Sequence, residues 1–150
     1  MADDAASLRG FESFRPGETG GLGSVTLDRD DLVAYARAWD PQPFHLDEEA
    51  GRSSLLGGLA ASGWHTASLL MRLIATGLLA GAKSMGSGGV RDLRWRKPVR
   101  PGEHLSGRYT VTAVRPSSRG DRGYVDMAFD LVDGSGEVVT SFASTVIVGT

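Results

Sequence analysis

The chain contains no cysteine, which excludes disulfides, thiolate metal sites and cysteine nucleophiles together. It also lacks an excess of either charge: 16 Lys and Arg stand against 18 Asp and Glu, a net charge of −2. A general nucleic-acid binder needs a strong basic balance, so nucleic acid is not an expected partner. Histidine is scarce, with three residues at no recognisable ligand spacing, and no metal site is predicted. No long hydrophobic run is present. The most apolar stretch, Leu59 to Leu79, is broken by Ser62, His65, Ser68 and Arg72, which is too polar for a membrane span. Met1 to Ala5 is acidic and has no apolar core, so it does not read as a secretory signal, and a cytoplasmic location is expected. Gly17 to Gly23 is glycine-rich but lacks the Gly-Lys-Ser/Thr ending of a phosphate loop. No internal repeat is visible.

What is there fits one globular domain over 1–150, with about the first seven residues frayed. Leu8 to Phe14 suggests a short strand, Gly17 to Gly23 a turn, and Ser24 to Leu27 a brief strand leading to Asp28 as an N-cap. Arg29 to Trp39 reads as a helix, with Leu32, Tyr35, Ala36 and Trp39 at helical spacing. Asp47 caps one or two further turns to Arg52. The main helix runs from about Ala60 to Leu79, with Ala67, Leu70, Met71, Ile74 and Leu78 on one face. Gly81 to Gly89 reads as a flexible connection. Strands follow at Val90–Arg96, Glu103–Val114, Tyr124–Val132 and Val138–Val148, the last two joined by the hairpin signal Asp133-Gly134-Ser135-Gly136. Helices early and antiparallel strands late give an α+β class, with a curled sheet around one long helix burying both apolar faces.

The most informative segment is Asp40-Pro41-Gln42-Pro43-Phe44-His45. Each proline fixes its own φ and steers the preceding residue away from helix, so this is a stiff loop. Taken singly, Asp40 reads as a helix-ending residue and His45 as a packed histidine. Held together on a stiff loop beside Phe44, a carboxylate and an imidazole can share one water molecule and do acid–base work on it. Ser62 reads as the N-cap of the main helix and leaves the Gly63 N–H free at its start.

The run from Asp40 to Asp47, followed by Ala50 and then Ala61-Ser62-Gly63, resembles the hydratase-2 motif of MaoC-like dehydratases and (R)-specific enoyl-CoA hydratases. The likeness extends over most of the chain from about Thr26. It implies the hotdog fold, a curved antiparallel sheet around one long helix. It also implies interconversion of a 2-enoyl-CoA and an (R)-3-hydroxyacyl-CoA, with Asp40 and His45 as catalytic pair and the Gly63 N–H polarising the thioester carbonyl. Gln42 stands where the family has Asn, and the longer amide can shift the loop it supports. Gln42, Phe44, Ser62 and Trp64 are the expected substrate-binding residues around that pair.

From the basic run Arg91 to Arg100, Arg94 and Arg96 share one face of a strand and are candidates for the phosphates of coenzyme A. Trp39, Leu59 and Met71 are pocket or core candidates, and His65 is expected to be packed or at a subunit contact. No cofactor is required, coenzyme A being part of the substrate, and an acyl carrier protein is an equal candidate carrier. The resemblance further implies a homodimer or higher homo-oligomer. The rivals are a thioesterase on the same fold and a non-catalytic binder of acyl chains.

Overall fold

A computed structural model describes residues 7–150, so the expected frayed start lies, apart from residue 7, outside the described residues. Asp28 accepts from the N–H groups of Asp30 and Asp31 and starts α1, Arg29–Trp39, as the sequence predicts. Asp47 does the same for α2, Glu48–Arg52, through Ala50. The long helix α3 covers Gly63–Gly77 and begins later than expected. The reason is that Ser62 has a non-helical ψ of 138° and its side chain accepts the Trp64 N–H as an N-cap, so the helix opens only after it, while the Ala60 and Ala61 N–H groups bond to the carbonyls of Phe44 and Val99.

The strands are β1, Thr19–Thr26; β2, Ser84–Trp95; β3, His104–Pro116; β4, Arg122–Val132; and β5, Val138–Gly149. They form one antiparallel sheet in the order β1-β3-β4-β5-β2. The alternating inward residues of β3, β4 and β5, among them Leu105, Val111, Met127, Phe129 and Leu131, are buried against Leu70, Leu73 and Ile74 of α3. Each such aliphatic side chain contributes about 1.5–3 kcal/mol on burial.

Three local expectations change. Leu8–Phe14 is not a strand. Phe11–Ser13 is a 3₁₀ turn, in which the Phe14 N–H reaches the Phe11 carbonyl and the Ser13 hydroxyl reaches that of Gly10. These local bonds use the groups a strand would have offered a neighbour. Gly17–Gly23 is not a turn throughout, because β1 starts at Thr19 and carries a bulge between Gly21 and Gly23. Gly20 serves close packing there: a Cβ on it would sit 2.6 Å from the Tyr109 ring. Finally, Gly81–Gly89 is no mere linker. From Ser84 it is already β2, an edge strand whose pairing with β5 slips at three places. Gly86 and Gly89 take φ of +110° and +151° there, values that L side chains rarely adopt.

One glycine brings the two halves of the site together. A Cβ on Gly51 of α2 would lie 2.4 Å from the backbone at Gly58 and Leu59. Only glycine lets α2 rest on that loop, and the contact sets residues 59–62 beside the 40–45 turn.

Candidate active site

Asp40 is the C-cap of α1, with its N–H on the Ala36 carbonyl and extended-side backbone angles (φ −154°, ψ 67°) that turn the chain out of the helix. Pro43 then opens a 3₁₀ turn over Pro43–His45. The two prolines thus build the stiff loop expected of them, and it places His45 Nε2 3.3 Å from Asp40 Oδ2.

Each member of the pair is fixed by a further partner. The Ser62 hydroxyl donates to Asp40 Oδ2 at 2.7 Å, and the Gln42 amide donates to Oδ1 at 2.7 Å. Gln42 therefore holds the carboxylate directly. His45 Nδ1 lies 2.7 Å from the Ala60 carbonyl oxygen. A carbonyl can only accept, so Nδ1 carries the proton and Nε2 is left facing Asp40. His45 is buried and meets Phe44 edge to face at 4.7 Å. Burial pushes the Asp40 pKa up, but donation from Ser62 and Gln42 and the nearby imidazole outweigh it, and the net shift is downward. The Asp40 carboxylate and the Nε2 edge of the His45 ring converge on one point. A water molecule placed there can hydrogen-bond to both groups.

Ser62 ties this pair to α3. It is fully buried and its hydroxyl also receives the Trp64 N–H at 3.3 Å, making it the N-cap as well as a partner of Asp40. Gly63 is the first residue of the helix, where backbone N–H groups lack an intrahelical acceptor and the helix dipole favours negative charge. A Cβ on Gly63 would sit 2.3 Å from the Trp95 indole, so no other residue fits without displacing that ring.

These groups line a cavity of about 420 Å³ together with Phe44, Trp64, Thr66, Trp95 and the segment Arg96–Val99. Of the expected residues, Asp40, Gln42, Phe44, His45, Gly63, Trp64 and Arg96 line it, while Ser62 lies behind it, in contact with Asp40. Arg94 does not line it, and its guanidinium stands 3.9 Å from Asp92 on the exposed side of β2. Arg96 gives its Nε to Ser141 at 2.9 Å, and its other guanidinium nitrogens have no partner among the described residues. Lys97 is engaged by Asp133 at 2.7 Å and by Glu137, which raises the lysine pKa and lowers that of Asp133. Arg100 braces the preceding loop through the carbonyls of Leu56 and Leu59. Arg96 is thus the cation at the cavity left with uncommitted donors.

Leu59 is core, whereas Trp39 is 76% exposed and lies at the surface. His65 is packed, as expected, stacked on Tyr35 with ring centroids 4.3 Å apart, and stands outside the cavity. Sequence reasoning missed Trp95 as a wall of the site and the Ala60 carbonyl as the group that fixes the His45 tautomer. Trp95 carried a signal in its size, but its side of the strand was read as packed. A backbone carbonyl carries no signal at all.

A MaoC like domain model matches residues 13–128. The chain belongs to the MaoC-like family. A solved MaoC-like dehydratase from Rhodospirillum rubrum is 40% identical and superposes with a TM-score of 0.86, covering 94% of this chain and 97% of that one. An (R)-specific enoyl-CoA hydratase from the same species is 23% identical over 122 residues, 79% of this chain and 81% of the relative. The (R)-hydratase from A. caviae involved in PHA biosynthesis shares the fold, with a TM-score of 0.73 at 22% identity over 90% of this chain and 97% of that one. The α+β architecture is the hotdog fold of this family, with α3 as its central helix. No described helix is long and apolar enough to cross a membrane.

Proposed function

We propose that this protein is an enoyl-thioester hydratase/dehydratase that interconverts a 2-enoyl-CoA, or its acyl-carrier equivalent, and an (R)-3-hydroxyacyl thioester. The observation that carries the reading is the placement of a carboxylate oxygen and an imidazole nitrogen 3.3 Å apart, Asp40 Oδ2 and His45 Nε2, at a cavity that also holds the start of α3. Membership of a family that includes an (R)-specific enoyl-CoA hydratase supports it.

In the hydration direction, water hydrogen-bonds to both groups, which aims an oxygen lone pair at the substrate Cβ. As the C–O bond forms, His45 Nε2 takes a proton from the water and Asp40 steadies the imidazolium. The electron pair of the double bond moves to Cα and into the thioester carbonyl, whose oxygen accepts from the Gly63 N–H. Cα then takes that same proton from the His45 imidazolium, on the face from which the oxygen came, which gives syn addition overall and restores the imidazole, and dehydration runs the steps in reverse. No electron leaves the substrate, so no redox cofactor is called for. Arg96 is the residue of the predicted arginine pair positioned to meet a phosphate at the cavity mouth. A homodimer or higher homo-oligomer belongs to the same reading, because β2 is an exposed edge strand and such edges tend to pair.

The test is loss of the conjugated-thioester absorbance of crotonyl-CoA with wild type and with Asp40→Asn, while free thiol is followed in parallel. Wild type should consume the enoyl signal without releasing thiol, and Asp40→Asn should be slower by about 10²–10⁴-fold. Thiol release by the wild type would instead identify a thioesterase, and an Asp40→Asn variant as fast as wild type would remove the carboxylate from the mechanism.

A further inference from the structure

We propose that Thr66 is a positioning residue: its backbone N–H and its hydroxyl hold the two peptide groups that flank Gly63, and so aim the Gly63 N–H at the thioester carbonyl. The inference rests on the hydratase reading for the presence of that carbonyl. Position 63 must be glycine because the Trp95 indole stands where a Cβ would be. Glycine is also the residue with the most backbone freedom, and this one opens a helix, where its N–H has no intrahelical acceptor. The direction of that N–H is therefore set by bonds on the adjoining peptide groups, and Thr66 makes two of them. Its N–H donates to the Ser62 carbonyl at 3.2 Å, the other end of the peptide group that carries the Gly63 N–H. Its hydroxyl donates to the Gly63 carbonyl at 2.9 Å, in the next peptide group.

A threonine that bonds back to its own helix is ordinary, and Thr76 does so to the Arg72 carbonyl at 2.8 Å on the exposed side of α3. Thr66 differs. It is buried, it lines the catalytic cavity, and its oxygen has a second partner outside the helix, Thr140 Oγ1 of β5 at 2.7 Å. A hydroxyl carries one hydrogen. With that of Thr66 given to Gly63, Thr140 is the donor between the two, and donation runs from Thr140 to Thr66 to the Gly63 carbonyl. Thr140 is 1% exposed and lies behind the cavity wall. It stands opposite Trp95 in the β2–β5 register, so the strand position that anchors Thr66 is paired with the one whose ring bears on Gly63. The start of α3 is thereby tied to the sheet twice, by an indole beside the Gly63 backbone and by a chain of hydroxyls on its carbonyl. Having spent its hydrogen on Gly63, Thr66 has none to give the substrate, and its effect passes through the glycine.

The experiment compares wild type, Thr66→Ser, Thr66→Val and Thr66→Val/Thr140→Val by hydration of 2-enoyl-CoAs, by thermal melting, and by the infrared carbonyl stretch of bound butanoyl-CoA isotope-labelled at the carbonyl carbon. Butanoyl-CoA has no double bond to hydrate, so its carbonyl is read without turnover. Thr66→Val should lower kcat about tenfold with KM little changed, since a misaimed donor keeps part of the roughly 10²–10³-fold that a whole one is worth. The carbonyl stretch, lowered on binding to wild type, should return to higher frequency. Thr66→Ser keeps the hydroxyl and should recover most of the rate and of the frequency shift. Thr66→Val leaves the Thr140 hydroxyl buried without an acceptor and should melt lower, whereas the double variant removes both hydroxyls and should regain stability while remaining slow. A double variant whose rate recovers with its stability would show a purely structural role and overturn the proposal. So would wild-type kcat and carbonyl frequency in Thr66→Val, a Thr66→Ser variant as slow as Thr66→Val, or a wild type that does not bind butanoyl-CoA or leaves its carbonyl frequency unchanged. The expected carbonyl pattern in a protein that hydrates no 2-enoyl-CoA would support the role of Thr66 and reject the hydratase reading.

Discussion

Replacing Ser62 with alanine should destabilise the protein in a pH-dependent way, because one hydroxyl does two jobs. It caps α3 through the Trp64 N–H at 3.3 Å and donates to Asp40 Oδ2 at 2.7 Å. Loss of a serine cap costs about 1 kcal/mol. Loss of a hydrogen bond to a charged group costs about 1.5–3 kcal/mol, and the lower end applies because water reaches Asp40, whose side chain is 17% exposed. The sum is about 2–2.5 kcal/mol at pH 7, or about 4–10 °C in melting temperature for a chain of this size.

The sign with pH follows from Asp40. Its pKa is lower in the folded protein than in the unfolded chain, so its contribution is complete above the ordinary carboxylate value near 3.9 and fades as pH falls through the lower folded value. Ser62 is a principal cause of that lowering. The gap between wild type and Ser62→Ala should therefore be full at pH 7 and shrink below about pH 3.5 towards the 1 kcal/mol of the cap alone. Urea denaturation at both pH values reads this directly. A gap of equal size at pH 7 and pH 3 would mean that the Ser62–Asp40 bond contributes nothing, and the account of how the carboxylate is held would fail.

Gly63→Ala should displace the Trp95 indole, since the new Cβ would lie 2.3 Å from it, and should lower hydration of crotonyl-CoA about 10²-fold or more through the shifted helix start. Adding Trp95→Leu should recover part of the rate, and no recovery would show that the ring is not the cause. His65→Phe should flatten the acid side of the stability curve. Burial lowers the His65 pKa, with Asp31 opposing, and its Nδ1 has no hydrogen-bond partner. Wild type must therefore lose stability as pH falls from about 6.5, where the unfolded histidine begins to take a proton that the folded one refuses. Denaturation midpoints of the two proteins that run parallel between pH 7 and pH 5 would refute this.

The parts of the molecule legible in the sequence are those specified by local chemistry. Asp28 and Asp47 cap helices through their own side chains, Pro41 and Pro43 impose their own backbone angles, and the β4–β5 hairpin is announced by Asp133-Gly134-Ser135-Gly136. The pair Asp40 and His45 could be found for the same reason: the loop that joins them is short and stiff enough to bring them together, although Ser62 and the Ala60 carbonyl then fix their orientation. Glycine was the main source of error, because one residue type serves opposite ends. In Gly17–Gly23 and Gly81–Gly89 the sequence suggests freedom, yet Gly20 is there to let the Tyr109 ring approach and Gly86 to let an edge strand bulge. Only the partner across the sheet distinguishes a loose glycine from a tight one, and that partner is some sixty to ninety residues away. Trp95 belongs to the same class. Whether it packs inward or walls a cavity is decided by the slips between β2 and β5 that precede it, since one slipped residue exchanges the two faces of a strand. What alternation in the sequence assigned to the packed side is half exposed at the mouth of the site, and the wall it forms against Gly63 is what makes glycine obligatory there.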